Sequence, residues 1–220
     1  MKDRTIQGLL RVLDNSFETQ VKNIHYHFSA SLSLGDYSRD LPNILIKSSL
    51  LYEEYQIIRK LLLKRTKQYR SFRIVDFGCG VGNVLQILKE IIRSDRTVFK
   101  FLKYTNVIGI EKYSPYATNC INNLDGNSEV HCLNMRNSKE LNETMEDILN
   151  KPNVDLNIWY CNRPYRDMEE EAELEKYLLE MAPIGTFLIN PMGFSAEPIK
   201  GIKVINKHIY EKIRSVEYYN

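Results

Sequence analysis

The sequence has no C-x-x-C pair, no run approaching the roughly 20 apolar residues of a membrane-spanning helix, and no excess of either charge. Its four cysteines, Cys79, Cys120, Cys132 and Cys161, are scattered. That spacing excludes a zinc ribbon and fits reduced, buried thiols in a cytoplasmic protein. His25 and His27 have no further ligands at metal-binding spacing, so no metal is expected. Lys and Arg number 30 against 28 Asp and Glu, and a net charge of +2 points to no polyanionic partner. The opening MKDRTIQGLLRVLDN carries charges through what would have to be an apolar signal segment, so neither secretion nor a membrane partner is expected. With 10 Gly, 7 Pro and 43 % apolar residues, low-complexity and disordered readings also fall away.

What remains is an ordinary globular chain of 220 residues, long enough for one cofactor-sized domain and an appendage. Residues 1–70 read as a helical extension, with Ile6, Leu9, Leu10 and Leu13 on one stripe and Leu51, Tyr55, Ile58 and Leu62 on another. Charge divides unevenly: residues 1–72 hold 12 basic and 7 acidic side chains. RKLLLKRTKQYRSFR alone carries seven basic groups and no acid, which reads as a solvated face or as a contact for an anionic substrate.

Beyond residue 72 short apolar runs alternate with helical segments. RIVDF, NVIGI, EVHCL, VDLNIWY and TFLIN read as strands. Residues 84–92, 115–123, 141–149 and 169–181 read as helices, with Ser114 and Ser138 as caps. The acidic charges of RDMEEEAELEKYLLE fall mostly opposite Leu174, Leu178 and Met181 and suggest an exposed face, while Ile158 and Trp159 suggest core. The tail GIKVINKHIYEKIRSVEYYN reads as a closing antiparallel strand pair. The expected fold is α/β: a Rossmann-like doubly wound sheet over residues 71–220, mostly parallel, behind the helical extension.

The chemistry concentrates in RIVDFGCGVGNVLQILKE. An apolar strand ends in Asp76, a loop carries Gly78, Cys79, Gly80 and Gly82, and an amphipathic helix follows. Glycines permit positive φ and close ligand approach, and the helix N-terminus offers unpaired N–H groups. A second strand ends in Glu111, placed to accept hydrogen bonds from a ribose diol. A dinucleotide fingerprint would read G-x-G-x-x-G; here Asn83 follows Gly82 and the loop is G-x-G-x-G.

This stretch resembles motif I of the class I S-adenosylmethionine-dependent methyltransferases, and the likeness runs from about Arg73 to Ile189. It implies S-adenosyl-L-methionine as cofactor, with Gly78, Gly80 and Gly82 receiving the methionine part and Glu111 the ribose. Asn134 stands where that family commonly has an Asp on the adenine amine, and Met135 beside it can pack on the ring. The fourth strand ends in WYCNRPY, where Asn162, Pro164 and Tyr165 partly match the [DN]-P-P-[YF] catalytic loop of enzymes methylating planar amino groups. There the amide accepts from the target nitrogen and the ring stacks on the substrate. Arg163 replaces the first proline, and a loop in which Arg163 pairs with an anionic substrate is equally compatible. VDFGCGVGNVLQ and VIGIEKYSPYA are also similar to the non-SET histone lysine methyltransferases.

The reading is therefore a methyltransferase of unidentified acceptor, small molecule, protein or nucleic acid. A non-catalytic binding module is the alternative that Arg163 motivates, and a nicotinamide oxidoreductase is a third.

Overall fold

The computed structural model describes residues 41–124, 128–162, 164–165, 167–195 and 200–217, with side chains from residue 51 onward. The stripe Ile6, Leu9, Leu10 and Leu13 and the pair His25 and His27 lie outside the described residues. Helix α1 spans Leu41–Leu63. Leu51, Tyr55, Ile58 and Leu62 are all buried, as their helical spacing predicts. Glu54 shares that stripe and is also buried.

The sheet then builds in alternation: β1 (Ser71–Phe77), α2 (Asn83–Ser94), β2 (Tyr104–Glu111), α3 (Ser114–Asn123), β3 (Ser128–Cys132), α4 (Ser138–Asn150), β4 (Leu156–Cys161), α5 (Met168–Met181), β5 (Phe187–Ile189), β6 (Lys200–Asn206) and β7 (Ile209–Glu217). The strand order is β3-β2-β1-β4-β5-β7-β6. Strands β1 to β5 run parallel, β7 lies antiparallel to β5, and β6 pairs with β7. This is the doubly wound α/β fold with a closing antiparallel pair that the strand pattern predicts.

The central strands read as unbroken apolar runs because both their faces are covered. Alternate residues serve opposite cores. Phe72, Ile74, Ile158, Tyr160, Phe187 and Ile189 join residues of α1 and α2 on one face. Val75, Phe77, Ile110, Trp159 and Leu188 join α4 and α5 on the other. Each fully buried aliphatic or aromatic side chain stabilises by about 1.5–3 kcal/mol. The part of the extension that is described thus shares its core with the sheet.

Three expectations are corrected locally. Helix α3 begins at Ser114 with Tyr113 as its cap residue, and α4 begins at Ser138 with Asn137 as cap, its side chain accepting from Glu140 N. The acidic face of α5 is not wholly exposed: Glu171 and Glu175 are buried. Glu175 accepts from Asn190 Nδ2 at 2.6 Å and from Ser195 N at 2.7 Å, so hydrogen bonding offsets its desolvation. Finally, Cys132 is exposed, while Cys79, Cys120 and Cys161 are buried as expected.

The basic segment is largely consumed internally. Arg59 pairs with Asp95, Arg65 with Glu211 and Lys67 with Asp155, while Arg73 donates to Asn106 and to the Pro152 carbonyl. Asp155 also accepts from Arg70 N and Ser71 Oγ, and these hydrogen bonds with Lys67 hold its carboxyl below its ordinary value against the opposing effect of burial. Asp155 and Ser71 mark where β4 and β1 begin, so these contacts gather at the amino ends of the strands.

Candidate functional site

In a doubly wound sheet ligands bind outside the carboxyl ends of the strands, where the chain order reverses. Here the reversal lies between β1 and β4, whose last paired residues are Phe77 and Cys161. The glycine loop leaves β1 at this point. Gly78, Gly80 and Gly82 have φ of 88°, 55° and 85°, the left-handed region in which a side chain would be strained.

The loop is fastened to β2. Gly78 N and Cys79 N both donate to the Ile110 carbonyl, at 2.8 and 3.0 Å, and Gly82 N donates to the Cys79 carbonyl. Cys79 is in the core rather than the crevice, its thiol 3.7 Å from that of Cys120. That contact and burial push the Cys79 thiol up, so it stays protonated. Gly82 is the cap residue of α2 and offers no side chain, which leaves the helix's first N–H groups facing outward at its positive end.

Glu111 ends β2, largely buried. One carboxylate oxygen accepts from Gly80 N at 3.0 Å and the other from Tyr113 N at 2.9 Å. A carboxylate has about four acceptor positions, so these bonds fix the group and leave room for two more donors. Asp76, at the end of β1, is buried opposite Tyr160 of β4 and raises the pKa of that hydroxyl, after the larger effect of burial.

The segment after β4 closes the other side. A Cβ on Gly78 would stand 3.1 Å from the Pro164 Cβ, so the glycine lets the two loops touch. Asn162 is half-buried at the strand end, and among the described residues its amide has no hydrogen-bond partner. Arg163 lies outside the described residues. The Tyr165 ring is already packed: it is buried in the second core, with the Arg136 guanidinium carbon 5.2 Å from its centroid and Arg136 in turn paired to Glu170. Burial pushes its hydroxyl up to about 12.

After β3, Asn134 is exposed and Met135 buried. The Asn134 side chain accepts from Arg136 N at 3.2 Å, so it braces its own turn. Thus Asp76, the glycines, Glu111, Asn162 and Pro164 converge at the carboxyl ends of β1, β2 and β4, while Cys79 and Met135 turn inward.

Sequence reasoning missed Glu54, Tyr160 and His208. Glu54 is 3 % exposed, with His208 Nδ1 3.5 Å from its Oε1, and burial pushes its carboxyl up to about 8. The available signal was a glutamate at a core position of the α1 stripe. Glu129, His131 and Asp147 also bring ligand atoms within 4.8 Å of one another. There the Lys151 ammonium lies 2.9 Å from Glu129 and 3.0 Å from Asp147, so a positive charge is already in place. No helix among the described residues is both long and apolar enough to cross a membrane.

No family model and no curated protein matches the chain. Solved structures of similar fold do. The plantazolicin methyltransferase BpumL, in complex with a monoazolic desmethylPZN analog and SAH, is 16 % identical with a TM-score of 0.36, over 79 % of this chain and 61 % of that one. The sugar N-methyltransferase KedS8 from Streptoalloteichus sp ATCC 53650 is 15 % identical with a TM-score of 0.38, over 80 % of this chain and 60 % of that one. A putative protein-L-isoaspartate O-methyltransferase from Plasmodium falciparum, in complex with S-adenosyl-L-homocysteine, is 15 % identical with a TM-score of 0.38, over 79 % and 70 %. The chain spans about three fifths of the length of the first two. These are likenesses of fold.

Proposed function

We propose that the protein is an S-adenosyl-L-methionine-dependent methyltransferase whose acceptor is a nitrogen nucleophile. The observation that carries the reading is the Glu111 carboxylate, held by Gly80 N and Tyr113 N beside a loop of positive-φ glycines at the switch point of the sheet. The residues fit the cofactor. Side chains at the glycines would fill the cradle, the α2 N-terminus suits the methionine carboxylate, and Glu111 retains acceptor positions for the two ribose hydroxyls.

When bound, the cofactor supplies a methyl group activated by a sulfonium. The chain's own contribution is then alignment and exclusion of water, which need few titrating groups. Asn162, just past the carboxyl end of β4, would accept from the acceptor nitrogen through its amide oxygen and orient the lone pair. Pro164 holds this loop against Gly78, and the buried Tyr165 supports it from the core. Asn134, exposed after β3, would edge the adenine, with Met135 supporting it from the core, and Arg163 is kept as a substrate contact.

Incubation with methyl-labelled cofactor and fractionated cell extract tests the reading. A labelled product that Asn162→Ala reduces by about 100-fold or more supports catalysis, the lower end of what one positioned group contributes. Saturable cofactor binding with no labelled product in any fraction instead identifies a binding module.

A further inference from the structure

Helix α1 carries a feature that the cofactor site does not use. Glu54 sits in its buried stripe, yet neither carboxylate oxygen has a hydrogen-bond partner among the described residues. The Tyr160 hydroxyl, 1 % exposed, has none either. Burying a carboxylate and a hydroxyl without partners is costly, and a leucine at position 54 would continue the Leu51, Tyr55 and Ile58 packing at no such cost.

The position is informative. Tyr160 pairs across the ladder with Asp76 and lies two residues before Asn162. His208 occupies the β6–β7 turn, where its carbonyl accepts from Asn190 N just past β5. Glu54, Tyr160 and His208 therefore gather at the carboxyl ends of β4 and β5, beside the crevice and at the opposite end of the sheet from the basic contacts around Asp155. In the empty site burial holds the Glu54 carboxyl protonated at neutral pH, and an ammonium beside it would draw off that proton and restore the carboxylate. Burial and Lys207 lower the His208 pKa, so the imidazole supplies no positive charge of its own there.

We infer that Glu54, Tyr160 and His208 form the acceptor site for a cationic aliphatic amine, whose ammonium takes the place of the missing partners. The inference rests on the methyltransferase reading and names its acceptor class. In the transfer the ammonium passes a proton to a Glu54 oxygen, and the freed lone pair forms the N–C bond as the C–S bond breaks. The bonding pair leaves with sulfur, and the methylated nitrogen carries the positive charge that sulfur gives up. A carboxyl already raised by desolvation is a better proton acceptor than an ordinary glutamate.

Calorimetric titration of the full chain with n-butylammonium, n-butanol and butyrate, with and without S-adenosylhomocysteine, tests this. Only butylammonium is expected to saturate. Glu54→Gln and Tyr160→Phe should each weaken it by about tenfold or more while leaving S-adenosylhomocysteine affinity unchanged, the loss expected for a charge-assisted hydrogen bond. Glu54→Gln replaces a buried carboxyl with an amide of the same shape and should fold, which a thermal melt verifies. Failure of butylammonium to saturate by about 100 mM, equal binding by Glu54→Gln, or equal binding of butanol or butyrate would overturn the inference. Amine binding without S-adenosylhomocysteine binding would overturn the methyltransferase reading and leave the amine site standing.

Discussion

Gly82 combines two demands at one position. Its φ is 85°, and an added Cβ would lie 2.7 Å from Cys120 Sγ. Gly82→Ala should therefore cost about 1–3 kcal/mol, read as a lower denaturant midpoint. Glu111→Ala removes the carboxylate that accepts from Gly80 N and that is proposed to hold the ribose, and should weaken S-adenosylmethionine binding by about 1.5–3 kcal/mol in calorimetry. The glycines and Glu111 were legible in the sequence because backbone conformation and strand-end position restrict which residue can stand there. Glu54 was not legible as a buried, unpartnered group. A glutamate inside an apolar stripe reads as the edge of the stripe until the packing shows both oxygens buried. Tyr165 and Asn134 show the opposite limit: their motif positions were readable, but not the Arg136 contact that covers one and the turn that engages the other.

At the scale of elements, α1 decides how the extension relates to the sheet. Ile58 and Leu62 are fully buried in the same hydrophobic cluster as residues of β1, β4 and β5. Ile58→Ala should destabilise the whole chain by about 2–5 kcal/mol in one cooperative unfolding transition, rather than melting α1 alone. Glu54 gives the same helix a pH signature. Its folded pKa of about 8 lies above the ordinary 4.5, so the folded state binds the extra proton between these values. The Glu54 contribution is thus most favourable below about 4.5 and declines as pH rises through 8. The melting temperature of Glu54→Gln should exceed that of wild type increasingly across that window, as differential calorimetry can show. Strands and helices were legible because doubly covered strands need unbroken apolar runs and crossover helices need one apolar stripe. The α4 cap shifted by a residue because Asn137, ahead of Ser138, reaches Glu140 N, while Tyr113 ahead of α3 takes the cap position with no side-chain bond. The buried Glu171 and Glu175 escaped a helical-face reading because their partners lie on other elements.

For the whole molecule, topology matters more than bulk charge. The +2 of the sequence conceals basic groups that the fold pairs with acids at the amino ends of the strands. The glycine loop, Glu111 and the Glu54 cluster stand at the carboxyl ends. An anionic partner is therefore not expected at Arg59, Arg65, Lys67 and Arg73, whose side chains the fold already engages. The most direct test of this account is calorimetric titration of the full chain with S-adenosylmethionine, with NADH as the comparison. The account predicts saturable one-to-one binding of S-adenosylmethionine that Glu111→Ala weakens, and none of NADH. Absence of heat and of any thermal shift with S-adenosylmethionine at about 1 mM, or saturable binding of NADH in its place, would contradict it.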